Sequence, residues 1–223
     1  MFDRLIKLIG EDNFNKIQNT KVLWIGVGGV GSATSETLIR NGFTNIHIID
    51  FDTVDLTNLN RQLITNSTNL GSKKIDEAIK RAKLINPNCN IKGFDIKLDD
   101  NNITNYIDNY DYIIDACDTI SVKYKLIELS MSNNFKLIES MGTAKKLDPT
   151  KLSITTLDKT EYDPIAKILR KMCRDNRIST KKVHVVSSTE RPLDIKDKAT
   201  SSIVPNTAGI YLATYVINDI IKK

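Results

Sequence analysis

The sequence predicts an α/β fold: a doubly wound, mostly parallel sheet with an antiparallel extension toward the C-terminus. Three observations carry this prediction. Short apolar runs alternate with amphipathic segments from residue 21 to residue 140. A glycine-rich turn, 26-GVGGVG-31, joins the first such pair. After Leu152 the alternation changes character. Strands that alternate with helices are joined by crossovers, and crossovers make neighbouring strands parallel.

Lys21 to Ile25 is an apolar run stopped by glycine and reads as a buried strand. Ser32 to Asn41 reads as a helix with Gly42 as its stop, and 46-IHIID-50 completes a β-α-β unit of about 30 residues. Lys73 to Leu84 follows as a helix ended by Asn86-Pro87, then Ile91 to Ile96 and 111-DYIIDA-116 as strands. Val122 to Asn133 is a helix and 135-FKLIES-140 a strand. Past Leu152, KLSITTLD reads as an antiparallel strand. The segment 161-EYDPIAKILRKMCRDNR-177 is a helix with Asp163 as N-cap and Pro164 in the first turn. Its Ile165, Ile168, Leu169 and Met172 share a face, with Lys167, Lys171 and Arg174 elsewhere. Residues 181–188 form a strand, and Asp194 to Ser202 is polar and expected to be mobile. A closing helix from Val204 carries Gly209 and Ala213 on a close-packing face. The 223 residues read as one domain, with a nucleotide-binding core at 1–145 and a substrate and dimer extension at 146–223.

Composition narrows the class. The chain is 40% hydrophobic and 26% charged, an ordinary balance for a protein that buries a sizeable core. No apolar run approaches the roughly 20 residues that span a bilayer. The N-terminus MFDRLIKLIGEDNF has neither an apolar signal core nor a small-residue cleavage site, so a cytoplasmic protein with no membrane partner is expected. Cys89, Cys117 and Cys173 are far apart and odd in number, which argues against a disulfide framework. No C-x-x-C pair exists, which excludes a four-thiolate zinc site. The net charge of +5 is concentrated between residues 164 and 182, with seven basic side chains against one acid. Such a run is either a solvated helix face or the footprint of a polyanionic partner.

The glycine turn carries the first chemistry. Gly26 permits the tight turn, Gly28 lets the backbone approach a phosphate, and Gly31 lets the helix pack near the strand. The following helix N-terminus favours an anion. Asp50, nineteen residues after Gly31, is placed to accept hydrogen bonds from a ribose. These features make the fold Rossmann-like, and they suit NAD and ATP equally. The next residues separate the two. The chain continues 51-FDTVDLTNLNRQ-62 and 71-GSKK-74, which puts Asp52, Asn58, Arg61, Gln62 and Lys74 just past a strand's carboxyl end. An Arg and a Lys at this crevice suit a triphosphate whose pyrophosphate leaves with negative charge. Asp118, in 115-DACD-118, offers a hard oxygen for Mg²⁺.

Together GVGGVG, IIDFDTVDLTNLNRQ, the lysine after G-S-K and DACD resemble the adenylating family of ubiquitin-activating, MoeB and ThiF type enzymes. The resemblance implies attack of a substrate carboxylate on the α-phosphate of ATP–Mg²⁺, with release of pyrophosphate. It implies that Gly29 lies against the phosphates and Asp50 holds the ribose, that Asn58, Arg61 and Lys74 handle the phosphates, and that Asp118 holds the metal. Arg4 resembles the arginine that such homodimers lend to the partner's site. The second half, including SMGTAKKLDPTKL, VHVVSSTERP and SSIVPNTAGIYLA, resembles the tRNA threonylcarbamoyladenosine dehydratases. That likeness implies a tRNA substrate carrying threonylcarbamoyladenosine (t6A) at position 37, closed to its cyclic form after adenylation. Lys167, Arg170, Lys171 and Arg174 would then meet tRNA phosphates. The alternative is activation of a ubiquitin-like or sulfur-carrier protein, and a sulfur-transfer partner of the cysteine desulfurase system belongs with it. A thiol route would need a nucleophilic cysteine. Cys173 is the one outside the nucleotide core, where neighbouring cations would favour its thiolate. A dehydrogenase and a nucleotide-binding protein without turnover are the remaining readings, and the Arg61, Lys74 and Asp118 set argues against both.

Overall fold

Apolar side chains with a period of two, buried on both faces, make the central strands. In β1 (Lys21–Ile25), Val22 and Trp24 join one layer of the core and Leu23 and Ile25 the other. This arrangement comes from a computed structural model, which describes residues 1–197 and 199–222. On one side β1 pairs in parallel with β2 (Asn45–Asp50), which pairs in parallel with β3 (Asn90–Asp95). On the other side it pairs in parallel with β4 (Tyr112–Asp115), followed by β5 (Lys136–Ser140). The seven-stranded sheet has the order β3-β2-β1-β4-β5-β7-β6. Its last pair, β7 (His184–Ser188) with β6 (Leu152–Thr156), is antiparallel, which is the C-terminal extension expected from the sequence. The strand order reverses between β1 and β4. In such sheets the crevice beyond the strands' carboxyl ends at that point receives the ligand.

Helices cover both faces. Helices α3 (Gly29–Arg40), α4 (Lys74–Ile85) and α7 (Ile203–Ile221) pack on the Trp24 side. Helices α5 (Ile120–Ser130) and α6 (Pro164–Asp175) pack on the Ile25 side. The close-packing face of α7 is real: a Cβ on Gly209 would come within 2.2 Å of the Val30 carbonyl on α3. Two N-terminal helices, α1 (Asp3–Ile9) and α2 (Glu11–Asn19), were not anticipated. The second buries Phe14 and Ile17, and the Phe14 ring closes over Gly42. Among the described residues, no helix is long and apolar enough to cross a membrane.

Several boundaries differ from the expectation. Helix α3 starts at Gly29 rather than Ser32, because the first helical turn needs no intrahelical N–H bonds and tolerates glycine. Helix α5 starts two residues earlier than Val122 and ends at Ser130, before the polar Ser132–Asn134 turn. Strand β7 starts at His184, since 180–182 forms a short 3₁₀ turn. The buried face of α6 is Ala166, Leu169 and Cys173, while Ile168 is 43% exposed. The small Ala166 and Cys173 let α6 lie close to α5, which turns Ile168 outward. The Asp163 cap is as expected, its Oδ1 accepting from the Ala166 N–H at 2.9 Å. The expected Cys173 thiolate is corrected: the side chain is fully buried, and burial pushes its thiol up to about 11. In the 194–202 segment, residues 194–197 are exposed and 199–202 are half-buried; the Lys145 N–H donates to the Ala199 carbonyl and Asn60 Nδ2 to the Thr200 carbonyl. Within it, Lys198 lies outside the described residues.

Candidate adenylation site

A cavity of about 950 Å³ opens at the carboxyl ends of β1, β2, β4 and β5. Its floor is the glycine turn. Gly26 has φ +87°, and a Cβ there would sit 2.9 Å from the Cys117 backbone nitrogen. Gly28 is the N-cap of α3; among the described residues no side chain caps that turn, and a Cβ on it would meet nothing within 4 Å. An uncapped helix N-terminus facing open space is a ready anion site. Gly29 packs against the Arg61 stem and Pro205. Gly31 does not line the cavity; its missing Cβ lets α3 press on the Gly26 carbonyl. The Asn206 amide nitrogen, assigned from its surroundings, donates to the Gly29 and Arg61 carbonyls at 2.8 Å each. The first turn of α7 thus ties the floor to the Arg61 loop.

The wall beyond β2 holds most of the sequence-predicted residues. Asp50 is buried, and its two carboxylate oxygens accept from the Val27 N–H (2.6 Å) and the Asp52 N–H (2.8 Å). Burial pushes its carboxyl above the usual range, against the pull of those two bonds. Each oxygen keeps a lone pair for a ribose hydroxyl. Lys74, only 5% exposed, donates from Nζ to Asp52 Oδ2 at 2.8 Å. Asn58 completes a capping box with Asp55 on a short 3₁₀ turn. That turn presents Arg61, whose Nη1 donates to the Thr57 carbonyl (2.7 Å) and Asn60 Oδ1 (3.0 Å). Gln62 is buried in the same wall, and its Oε1 has no partner among the described residues. A buried acceptor left unpaired is costly, and a ligand donor would relieve it.

The opposite wall follows β4 and β5. Asp118 is exposed into the cavity. Behind it lies a charge cluster that sequence reasoning missed. Lys123, on α5, is fully buried and donates from Nζ to Asp115 Oδ2 and to the Ser140 carbonyl, both at 2.8 Å. Asp115 Oδ1 accepts from the Cys117 N–H at 3.0 Å. Desolvation opposes the Lys123 charge most strongly, but Asp115, Cys117 and Glu139 together outweigh it and its pKa lies above that of an ordinary lysine. Glu139, beside Asp115 in the sheet, has no hydrogen bond to either oxygen among the described residues, and burial raises its pKa well above the carboxylate range. Asp163 was read as a cap alone; its Oδ2 also accepts from the Gly142 N–H at 2.7 Å and holds the loop after β5. One signal was available: Lys123 falls three and four residues before Leu126 and Ile127, on the apolar face of its helix.

The structure therefore brings together Gly26, Gly28, Gly29, Asp50, Asp52, Asn58, Arg61, Gln62, Lys74 and Asp118. Arg4, on α1, is exposed and away from this cavity. Lys167, Lys171 and Arg174 are exposed on α6. Arg170 differs: its Nη1 donates to the Thr160 carbonyl at 2.9 Å and to Thr160 Oγ1, so its guanidinium is engaged within the chain.

Residues 2–214 match the ThiF family. The tRNA threonylcarbamoyladenosine dehydratase of Bacillus subtilis is 34% identical over 99% of this chain and 94% of its own length. The Escherichia coli protein of the same name is 34% identical over 78% of this chain and 66% of its length. The crystal structure of the E. coli dehydratase TcdA in complex with ATP superposes with a TM-score of 0.93 at 30% identity, covering 98% of this chain and 93% of that one. Its AMP complex gives 0.91 at 31% identity, covering 96% and 91%. With a matched model over nearly its whole length and relatives above 30% identity, the chain belongs to the ThiF family.

Proposed function

We propose that this protein is an ATP-dependent tRNA threonylcarbamoyladenosine dehydratase. It adenylates the threonylcarbamoyl carboxylate of t6A at position 37 and then closes that side chain into the ring of cyclic t6A. One observation carries the reading: a single cavity gathers an open glycine floor, a ribose-competent acid, Arg61, Lys74 and Asp118. A dehydrogenase has no use for that cation pair, and the full-length likeness to the Bacillus subtilis dehydratase supports the substrate.

The chemistry follows from placement. Gly28 and Gly29 leave backbone N–H groups to the phosphates, and Asp50 takes the ribose. Arg61 and Lys74 offset the charge that grows on the pyrophosphate as the carboxylate oxygen forms its bond to the α-phosphorus and the bond to pyrophosphate breaks. Asp118 fits Mg²⁺, which is commonly held by one or two carboxylates plus substrate phosphates, and the ion would supply further charge neutralisation. In the second step a nucleophile belonging to the substrate itself attacks the activated carbonyl and AMP leaves, so no enzyme thiol is required. A route through Cys173 would need a thiol that is buried and protonated. Lys167, Lys171 and Arg174 are the exposed cations for tRNA phosphates. The chain acts as a cytoplasmic homodimer in which Arg4 reaches the partner's site.

The test is AMP and pyrophosphate release on tRNAs with and without t6A. Release with the modified tRNA alone is expected. Equal pyrophosphate exchange without it would remove the assignment and favour a protein carboxylate as substrate, for which Cys173→Ser would then be decisive. Light scattering with Arg4→Ala separates dimer formation from the lent arginine.

A further inference from the structure

We infer that Lys123 is a positioning residue for the adenylation site: its buried ammonium clamps the loop after β4 to the loop after β5 and so sets Asp118 opposite the glycine floor. The inference rests on the function proposed above.

The strands beneath the two loops pair up to Asp115 opposite Glu139, and Asp163 holds the Gly142 N–H, but beyond the strand ends it is the Lys123 side chain that joins the two loop roots to each other. Ala116, Cys117 and Asp118 line one stretch of the cavity, and Ser140, Met141 and Gly142 the next. One ammonium bonds the root of each, at Asp115 Oδ2 and at the Ser140 carbonyl, with both distances 2.8 Å. The same carboxylate accepts the Cys117 N–H through its other oxygen, so it fixes the backbone from which Asp118 projects. That backbone is already pressed against the glycine turn: a Cβ on Gly26 would approach the Cys117 nitrogen to 2.9 Å. A shift at Asp115 would therefore reach the phosphate floor as well as the metal-binding carboxylate. Lys123 does not line the cavity, so it acts through these loops and not on the ligand. Burial also makes the arrangement sharp. A fully desolvated charge persists only with close partners, whereas apolar residues of similar volume would hold the fold about as well. An ion pair kept here points to geometry as its purpose.

The double variant Asp115→Asn/Lys123→Met removes both charges together and avoids an orphaned ion. Folded by circular dichroism, it is expected to bind ATP within about threefold of the parent while kcat for AMP formation falls at least about thirtyfold, roughly 2 kcal/mol of transition-state stabilisation. Amide exchange should quicken in 116–118 and 141–144 together, and not in 50–62. Lys123→Gln, which can serve one partner but not both, is the second variant and should show the same split. Parental kcat in either folded variant, or unchanged exchange in both loops, overturns the clamp. Failure of both variants to fold also overturns it, since the pair would then serve the fold. The exchange readout separates the two readings: a parent chain inactive on t6A tRNA sinks the proposed function, while joint loosening of the loops still upholds the clamp.

Discussion

The two walls of the cavity are both charged, yet they are built in opposite ways. Beyond β2, charged side chains line the cavity itself: Asp50 accepts from the Asp52 N–H, Arg61 donates to the Thr57 carbonyl, and Lys74 donates to Asp52. The Lys74–Asp52 pair still touches solvent, with the Asp52 side chain 49% exposed. Beyond β4 and β5, the charge sits behind the wall. Lys123 and Asp115 are both fully buried, and the lysine's partners lie eight and seventeen residues away. The difference separates contact from placement. A wall that meets the ligand places its charged groups at the cavity surface, whereas a wall that must hold its shape pairs its charges behind that surface.

Single substitutions should divide along that line. Lys123→Met leaves an ionised Asp115 buried without its cation, a loss of about 3–5 kcal/mol in urea or thermal unfolding. Lys74→Met leaves Asp52 able to hydrate, so stability should move by less than about 1 kcal/mol. AMP formation by that variant should nevertheless fall by about 10²–10³-fold, as for loss of one charge-stabilising donor. If the two variants unfold equally, the contrast between the walls is wrong.

The glycine floor offers the same contrast on a smaller scale. Gly31→Ala would place a Cβ 1.8 Å from the Gly26 carbonyl and close to the Trp24 indole nitrogen, which itself donates to that carbonyl. A backbone shift costing about 1–3 kcal/mol should follow, together with weaker ATP binding. Gly28→Ala meets open space and should keep the parental melting temperature, while its methyl intrudes where a phosphate would sit. Calorimetric titration with ATP alongside thermal melts reads both. A Gly28→Ala protein that binds ATP normally would remove the phosphates from that turn.

On α6 the contrast recurs between neighbouring cations. Lys171→Ala should lower the slope of log affinity against log salt for tRNA by about one, with no change in stability. Arg170→Ala should instead loosen the 157–160 turn, because its guanidinium bonds the Thr160 carbonyl. A salt slope that falls equally in both would show that Arg170 leaves its internal partners to meet RNA.

The same differences set which features the amino-acid sequence makes legible. The strand and helix order was legible because apolar periodicity and glycine stops are local signals. The β2 wall was legible because its residues lie within 50–74, one stretch that begins at a strand end. The clamp was not, since Asp115, Lys123 and Ser140 meet only once β4, α5 and β5 are packed. The turned face of α6 was missed for a related reason. Hydrophobicity favours Ile168 over Ala166, but close approach to α5 favours the smaller side chain. Cys173 carries the same lesson, because cations nearby in sequence say nothing of burial.

Burial of the cysteines has a measurable consequence in alkali, the smallest of the expected effects. Cys173 and Cys89 are both buried, and burial raises each thiol to about 11. In the unfolded chain a cysteine titrates near 8.5. Between those values the unfolded state has released protons that the folded state retains. The contribution of these two thiols to stability therefore falls as pH rises from about 9 and levels off near 11. Below pH 8 both states hold the proton and the thiols add no pH dependence. Iodoacetamide at pH 8 should accordingly modify Cys173 in urea and spare it in the native protein. Cys173→Ala should shallow the alkaline decline of the melting temperature while leaving AMP formation near the parental rate. Rapid native labelling of Cys173 would mean that α6 opens from α5, the helix that carries Lys123.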